Sequence, residues 1–456
     1  MVEDYDAWFE KNRALLLEDF FTFLRFPSIS TDPAYTNDLL ACKDWLVAYM
    51  EKSGLNTEVW ETSGHPTIFA SHLEAGDAAP TLLFYGHYDV QPSAPLEKWE
   101  SPPFEPEVRG HKVYARGAID NKGQAFYTLL AIRAFLERTK NAPVNIKVLI
   151  EGEEEIGSSG LEAIAEEKKE ALKADHIYIV DLDMYAEGIP GVTLGVRGVA
   201  SLNVTVHNSN ADLHSGTFGG IALNPARALA TTLSKLWDEK GKVTVPHFYD
   251  GVKEGGLEGL DEEIDLKKES APFEIKVFQG EGDYSLVASN WVRPTLEING
   301  LESGYTGEGY KTIIPAEAMV KLSCRLVPGQ DPEKIIEALA TFLKSNLPAG
   351  IGMSFEKGHG TPAMITAPDS ATVKGAIAAY ERIFSAKCRR QLCGGTIPIA
   401  PKLAEICGGE IVLIGMGIPS DSIHAPNENF GLDRFKQGFL SITQLLEIFA
   451  EGGPDA

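Results

Sequence analysis

The sequence is poor in cysteine and has no long apolar run, and each absence excludes a class of protein. Five cysteines (Cys42, Cys324, Cys388, Cys393 and Cys407) are scattered among 456 residues without a C-x-x-C pair. This usage is typical of a reducing compartment and argues against a zinc site built on thiolates. No stretch approaches the roughly 20 apolar residues that a membrane-spanning helix needs.

Basic residues are also scarce relative to acidic ones. The chain has 41 Lys and Arg against 65 Asp and Glu, which gives a formal net charge of -24. Such a charge disfavours binding to nucleic acid or to an anionic membrane, so we expect neither as a partner. The first residues, "MVEDYDAWFEKNR", are acidic and lack the apolar core of a secretory signal. Together with the cysteine usage, this favours a cytoplasmic location.

Four short apolar runs alternate with amphipathic helices and predict an α/β domain. The runs are "TLLFYG" (81–86), "NIKVLIEG" (145–152), "HIYIVD" (176–181) and "EIVLIG" (410–415). Continuously apolar strands are typical of a parallel sheet that is buried on both faces. The chain is long enough for two domains, and we expect a mixed, mostly parallel sheet in the larger one.

The pattern changes after residue 195. "GVASLNVTVHN" and "AMVKLSCRLVPG" alternate with a period of two, as half-exposed antiparallel strands do. The α/β pattern resumes with the helix "SATVKGAIAAYERIF". We therefore predict a small α+β domain, residues 196–371, inserted between the two parts of the α/β domain, residues 1–195 and 372–456.

Histidine and carboxylate side chains follow the buried strands at the points where the strands end. Ligands of α/β folds collect outside the carboxyl ends of the strands, so we expect these side chains to converge. Two imidazoles with several carboxylates suit zinc or manganese, and a pair of ions needs one bridging carboxylate. An acidic loop without a metal is the alternative. The residues are His87, Asp89, Asp120, Glu153, Glu154, Glu155, Asp181, Asp183 and His424.

Six motifs in the chain resemble those of a known enzyme family: "GHYDVQP", "ARGAIDNKG", "EGEEEIGS", "VRGVASLNVTV", "DLHSGTFGG" and "HAPNE". The family is that of di-metal peptidases and deacylases, with carboxypeptidase G, aminoacylase, succinyl-diaminopimelate desuccinylase and the carnosine dipeptidases. The resemblance covers nearly the whole chain and is strongest to the cytosolic non-specific dipeptidases, through "KTIIPAEAMVKLSCRLVP" and "GGTIPI". It implies that residues 196–371 form a lid and dimerisation domain.

The resemblance implies a site for two divalent metal ions, zinc or else manganese. His87 and Asp181 would bind one ion, while Glu155 and His424 would bind the other. Asp120 would bridge the two ions.

Two of these assignments have alternatives. Aligning "EEIGS" with the family motif makes Glu154 the general base and Glu155 the ligand, whereas a shift of one residue would give these roles to Glu153 and Glu154. Asp183 competes with Asp181, which we prefer because it directly follows its apolar strand.

The resemblance also implies roles next to the ions. Asp89 would orient the imidazole of His87, and Glu154 would be the general base. His214 would cross a dimer interface and stabilise the oxyanion in the active site of the partner subunit. The peptide bond between Asp120 and Asn121 would be cis.

Five residues would contact the substrate if the resemblance holds. A guanidinium fork suits the substrate's carboxylate, and a threonine stands in "GGTIPI" where the dipeptidases have serine, which keeps the hydroxyl. The residues are His214, Thr312, Arg325, Thr396 and His424.

The sequence thus predicts a homodimeric di-metal peptidase that acts on dipeptides or short peptides with a free carboxylate. A metal-bridging hydroxide would attack the peptide carbonyl, with Glu154 as general base. The first alternative is an N-acyl amino acid deacylase or desuccinylase that uses the same site. The second is a catalytically silent metal-binding or scaffolding protein. It predicts that a ligand or the base is missing, and none is.

Overall fold

A computed structural model describes residues 2–139, 141–253, 255–261 and 263–455. The fold is mixed α/β and is organised around one large sheet and one smaller sheet. Within the described ranges, none of the helices has both the length and the apolarity to cross a bilayer.

The strands are β1 (Asn56–Trp60), β2 (Thr67–His72), β3 (Thr81–His87), β4 (Glu107–Arg109), β5 (Lys112–Tyr114), β6 (Asn145–Glu151), β7 (His176–Val180), β8 (Gly191–Val196), β9 (Gly198–His207), β10 (Leu213–His214), β11 (Thr295–Ser303), β12 (Ile313–Ile314), β13 (Glu317–Leu326), β14 (Gly352–Thr361), β15 (Met364–Ile365), β16 (Arg389–Cys393), β17 (Glu410–Ile414) and β18 (Asn429–Gly431).

The α-helices are α1 (Val2–Leu24), α2 (Thr36–Lys52), α3 (Lys122–Arg138), α4 (Ser159–Ala165), α5 (Lys169–Leu172), α6 (Ser215–Phe218), α7 (Pro225–Leu233), α8 (Leu266–Glu269), α9 (Leu286–Trp291), α10 (Pro332–Asn346), α11 (Ala371–Ile383), α12 (Ala400–Ile406) and α13 (Leu432–Ala450).

The large sheet confirms the predicted fold class. Its strand order is β1-β2-β6-β3-β7-β17-β8-β15, with β16 also paired to β8. The central strands β6, β3, β7 and β17 run parallel to one another, whereas β1 and β2 at one end and β15 near the other are antiparallel to their neighbours. The four apolar runs seen in the sequence are these four central strands.

The central strands are apolar throughout because both faces of the sheet are covered. Along β3, Leu82 and Phe84 point into a core shared with α1, α3 and α13, while Leu83 and Tyr85 point into a second core with α4 and α12. Successive side chains of a strand alternate between its faces, so a two-sided cover requires an unbroken apolar run.

The smaller sheet is antiparallel, in the order β11-β13-β9-β14. Along β9, Leu202, Val204 and Val206 are buried against residues of α7 and α10, and the residues between them are partly or fully exposed. This one-sided burial explains the period of two in the sequence. The chain leaves the large sheet after Val196 and returns to it at β15. The predicted domain limits at 195/196 and 371/372 remain predictions.

Candidate metal centre and active site

The predicted ligands lie at the carboxyl edge of the parallel strands. His87 is the last residue of β3, Glu154 and Glu155 follow β6 within four residues, and Asp181 directly follows β7. Asp120 lies two residues before α3, at the same edge. Because β6, β3 and β7 are parallel neighbours, their ends bring these side chains together.

The first group of possible ligands surrounds His87. Its Nε2 lies 3.2 Å from Oδ1 of Asp120 and 3.7 Å from Oδ1 of Asp181. One donor atom from each of the three residues lies within 4.8 Å of the others, so they could hold a metal ion.

The second group shares Asp120 with the first. Nε2 of His424 lies 2.8 Å from Oδ2 of Asp120 and 3.3 Å from Oε2 of Glu155. Donor atoms of these three residues also lie within 4.8 Å of one another. Since the two oxygens of Asp120 face different histidines, the arrangement suits two cations that share one carboxylate.

The electrostatics of the cluster also fit cations. Oε1 of Glu155 is buried and accepts no hydrogen bond from the described residues. Burial, followed by the charge of Asp120, raises the pKa of Glu155 to about 7. Burial likewise raises the pKa of Glu154 well above its usual range. Carboxylates that are crowded and buried in this way are stabilised by a divalent ion, and imidazole nitrogens with carboxylate oxygens are ligands that zinc accepts.

His424 and Asp120 each shift the pKa of the other toward its charged form. Hydrogen bonds to Asp120 and then to Glu155 raise the pKa of His424 to about 10. Burial alone would raise the pKa of Asp120, but hydrogen bonds from His424 and His87 lower it. The site therefore favours positive charge beside Asp120 and Glu155.

Asp89 joins the two sides of the site. Its carboxylate lies 3.2 Å from Nδ1 of His87 and accepts hydrogen bonds from the amides of Glu154 and Glu155, at 3.3 and 3.1 Å. Both His87 and Asp89 are fully buried. A carboxylate on Nδ1 leaves Nε2 directed at Asp120 and Asp181, which is how an outer carboxylate orients an imidazole ligand.

The three consecutive glutamates point in different directions. The Glu153 carboxylate accepts hydrogen bonds from the amides of His65, Gly160 and Leu161, so it is occupied at the start of α4. Glu155 faces His424, and Glu154 lines the adjacent cavity. This geometry favours the register in which Glu154 and Glu155 are the functional pair.

Asp181 and Asp183 are also separated by their surroundings. Oδ1 of Asp181 accepts a 2.6 Å hydrogen bond from Asn121 and faces His87. Asp183 lies outside both groups of possible ligands, and its carboxylate is close to Gly417, where a side chain would collide with it. The geometry therefore favours Asp181.

Two supporting residues were not singled out from the sequence. Asn121 accepts a hydrogen bond from the His87 amide at 3.2 Å and donates to the Val180 carbonyl at 2.8 Å as well as to Asp181. It follows the cis peptide bond that the resemblance predicted. Its position next to Asp120, just before a helix, was the available signal.

Glu428 is the second supporting residue. Its buried carboxylate accepts hydrogen bonds from the amides of Gly117, Ile119 and Asp120, and it pairs with Arg116 at 2.8 Å. It thereby fixes the loop that carries Asp120. Glu428 is the last residue of the motif "HAPNE", whose histidine alone was assigned a role.

A cavity of about 470 Å³ lies over the cluster. Asp120, Glu154, Asp181, Thr396 and His424 all line it. Arg325 is held at its rim because its guanidinium donates a 2.7 Å hydrogen bond to the Thr396 hydroxyl. The structure therefore brings together most of the predicted metal, base and substrate residues.

His214 and Thr312 lie elsewhere, although they lie close to each other. His214 pairs with Ile313 across the β10–β12 ribbon, and the Thr312 carbonyl accepts a hydrogen bond from the amide of Ser215. Both side chains are exposed, and neither is among the described residues that line the cavity. His214 instead begins α6, where its Nδ1 accepts a hydrogen bond from the Gly216 amide.

Comparison with known proteins identifies a family of similar sequences. The model of peptidase family M20/M25/M40 matches residues 83–448. The "Cys-Gly metallodipeptidase dug1" of Schizosaccharomyces pombe is 30% identical over 433 residues, which is 90% of each chain. The human "Beta-Ala-His dipeptidase" is 32% identical over 397 residues, 83% of this chain and 78% of the relative.

A solved structure of similar architecture covers almost the whole chain. The M20 family metallo-carboxypeptidase Sso-CP2 from Sulfolobus solfataricus has a TM-score of 0.85 and 31% sequence identity, and the alignment covers 96% of this chain and 99% of that one. The similarity thus extends over both sheets.

Proposed function

The chain belongs to peptidase family M20/M25/M40, a family of metal-dependent peptidases, and we propose that it hydrolyses dipeptides with a free carboxylate. The observation that carries this proposal is the pair of ligand groups that share Asp120 under one cavity. Two relatives at 30% identity or more are named as dipeptidases, which supports the substrate class.

We propose that two divalent ions are bound at these groups, with zinc the first choice and manganese the second. His87 and Asp181 would hold one ion, Glu155 and His424 the other, and Asp120 both. Such ions polarise a peptide carbonyl and increase the acidity of water. Three carboxylates with two imidazoles give a hard, mixed donor set that suits either metal.

Glu154 is the proposed general base. Its carboxylate lines the cavity beside Asp120 and Asp181, and burial raises its pKa well above the usual range for a glutamate. A raised pKa suits a group that takes a proton from water and returns it to the leaving amine. Asp89 keeps the His87 ring oriented while the Glu154 side chain moves the proton.

At the other end of the cavity, Thr396 and Arg325 are proposed to bind the carboxylate of the substrate. The Thr396 hydroxyl lines the cavity, and the Arg325 guanidinium is already hydrogen-bonded to it. A guanidinium is suited to a carboxylate because it donates hydrogen bonds to its oxygens, and the Thr396 hydroxyl, which donates its proton to the Arg197 carbonyl, accepts from this guanidinium and orients it.

We further propose a cytoplasmic homodimer in which His214 and Thr312 complete the active site of the partner subunit. Around them the surface is apolar: Phe218 is 41% exposed, Ile221 79% and Tyr310 fully exposed. Clustered exposed apolar side chains on a globular protein mark a contact surface. All five cysteines are free thiols, as expected in a reducing compartment.

The test is the variant Glu154→Gln assayed on Ala-Ala. We expect it to keep the metal content of the wild type and to lose several orders of magnitude in turnover, because only the proton carrier is removed. Metal analysis and steady-state kinetics measure the two quantities. Near-normal turnover in this variant would exclude Glu154 as the base.

A substrate panel separates the dipeptidase from the deacylase that uses the same site. Purified protein loaded with zinc or manganese should release alanine from Ala-Ala faster than it hydrolyses N-acetyl or N-succinyl amino acids. The reverse order would make the protein a deacylase. Inactivity on every amide of the panel would favour a silent binding protein.

A further inference from the structure

Arg197 occupies the point at which the chain passes from one sheet to the other. It is the only residue between β8 of the large sheet and β9 of the smaller one. Its side chain is 7% exposed and is therefore buried at the junction.

The residue binds the loop that carries Thr396 through both backbone and side chain. Its amide donates to the Gly395 carbonyl at 2.9 Å, and its carbonyl accepts the Thr396 hydroxyl at 2.6 Å. Its Nε donates to the Gly394 carbonyl at 2.8 Å. The guanidinium lies directly under this loop, since a Cβ on Gly394 would be 3.0 Å from Nη2 of Arg197.

Among the described residues, no carboxylate lies within ion-pair distance of the Arg197 guanidinium, and Glu297 acts on it only through its charge. Three other arginines are buried to a similar degree, and each of them pairs with a carboxylate: Arg116 with Glu428, Arg293 with Glu281, and Arg434 with Asp421. The Arg197 guanidinium has only the carbonyls of Gly394 and Arg293 as acceptors. A buried charge without a close counter-ion is costly, so an anion that binds beside it would be stabilised.

Arg325 adds a second positive charge at the same place. Arg197 and Arg325 line one cavity of about 960 Å³, which adjoins the active-site cavity at Leu266, a residue common to both. Burial, followed by the charge of Arg325, lowers the pKa of Arg197 to about 10, which still leaves it a cation at neutral pH. The Thr396 hydroxyl therefore lies between the Arg325 guanidinium and the Arg197 carbonyl, and both guanidiniums line the neighbouring cavity.

We propose that Arg197 is a specificity-determining residue that, together with Arg325, binds the free carboxylate of the substrate. The inference rests on the proposed function, because it identifies which end of a dipeptide reaches this pair. The Nη2 group of Arg197 donates no hydrogen bond to the described residues and is the donor available to a carboxylate oxygen.

The experiment compares Ala-Ala with its C-terminal amide, which lacks the negative charge. In the wild type we expect a strong preference for the free acid. Arg197→Met should lower kcat/KM for Ala-Ala by about 10- to 100-fold, mainly through KM, the range of one charge-assisted hydrogen bond. Its kcat/KM for the amide should stay close to the wild-type value, so the preference falls.

Three further variants separate charge from packing. Arg197→Gln keeps a donor for the Gly394 carbonyl without the charge, and it should lose the preference as Arg197→Met does. Arg197→Lys keeps the charge and should retain part of the preference. Arg293→Met removes a buried arginine that already has a carboxylate partner, so it should leave the preference unchanged.

The outcomes are distinct. If the wild type cleaves Ala-Ala but Arg197→Gln and Arg197→Met lose equal factors on both substrates, Arg197 is structural only and the proposal is wrong. An unchanged preference in Arg197→Gln also overturns it. A wild type that hydrolyses neither substrate but does hydrolyse N-acyl amino acids overturns the dipeptidase function first.

Discussion

Glu428 shows how the geometry of the metal centre depends on a residue outside it. Its carboxylate is surrounded by three backbone amides and the Arg116 guanidinium, all in the loop that ends at Asp120. A carboxylate that accepts several amide hydrogen bonds fixes a loop more tightly than one ion pair does. The position of Asp120, which both ligand groups need, is set in this way.

We predict that Glu428→Ala lowers the free energy of unfolding by about 3–5 kcal/mol, because it leaves the buried Arg116 without its counter-ion. Urea unfolding at a fixed metal concentration measures the change. Glu107→Ala is a matched control, since Glu107 pairs with Arg109 at an exposed position and should cost at most about 1 kcal/mol. Equal losses in the two variants would contradict the prediction.

At the same scale, the sequence was sufficient to predict which side chains converge, but not how the adjacent acids differ. His87, Asp120 and His424 could be predicted because each follows a strand or belongs to a distinctive motif. The three glutamates could not be separated by pattern alone, because their roles depend on which backbone amides reach Glu153 from α4 and from His65. Such donors come from positions distant in the sequence.

Among the elements, the segment around α8 has a defined position in the fold, although its polar composition is typical of an exposed loop. The stretch "GGLEGLDEEIDLKKE" is polar, and α8 (Leu266–Glu269) is a short helix at its end. Ile264, Leu266 and Glu269 line the active-site cavity, so the segment forms one of its walls. This position could not be predicted, because it depends on a contact with β16.

Asp261 attaches this segment to β16. Its carboxylate accepts a hydrogen bond from the Arg390 amide at 2.8 Å and faces the Arg389 guanidinium at 3.2 Å. Its own carbonyl accepts the Tyr185 hydroxyl at 3.0 Å. The segment is thus attached to the strand that leads into the Gly394–Thr396 loop.

We predict that Asp261→Ala loosens the wall and increases the hydrolysis of tripeptides relative to dipeptides. The loss of hydrogen bonds to a charged group should lower the local opening free energy of the segment by about 1.5–3 kcal/mol. Hydrogen exchange of residues 257–261 and 263–269 and paired peptide assays measure the two effects. Glu263→Ala is the control, because Glu263 contacts the same Arg389 from an exposed position. If the variant and the wild type have the same ratio of tripeptide to dipeptide hydrolysis, Asp261 does not have this role.

For the elements as a whole, burial on two faces made the central strands predictable. The short strands β10, β12 and β15 were not predicted as separate elements, because two-residue pairings depend on tertiary contacts more than on local pattern. The alternation of β9 and β13 predicted the smaller sheet, since one-sided burial leaves that pattern in the sequence.

On the scale of the whole molecule, the residues predicted for the active site lie in two separate places. Three candidate metal ligands, the proposed base and Thr396 line one cavity, whereas His214 and Thr312 lie on a separate, exposed ribbon. The resemblance predicts that a second subunit brings His214 to the cavity, and we propose that Thr312, on the same ribbon, comes with it. A homodimer with two shared sites follows from the symmetry of such an exchange.

We predict that inactive His214→Ala and Glu154→Gln proteins regain activity when their subunits are mixed. Random exchange makes half of the dimers mixed, and each of these has one intact site, so about one quarter of wild-type activity should return. Unfolding and refolding the mixture, followed by an Ala-Ala assay, measures the recovery.

The control mixture combines His214→Ala with Thr312→Ala. Both residues would serve the partner's site, so every site in a mixed dimer lacks one of them and no recovery is expected. Absence of recovery in the first mixture as well would mean that His214 acts within its own chain or not at all.

The position of Arg197 also determines where the two parts of the molecule can be exchanged between relatives. A chimaera joined after Arg197 would keep the native hydrogen bonds of Arg197 with Gly394, Gly395 and Thr396, whichever inserted domain it receives. In a chimaera joined before Arg197, the residue that makes these hydrogen bonds would come from the donor of the inserted domain. Recombination at this crossing therefore decides whether a transplanted domain inherits the substrate preference of its donor or of its host.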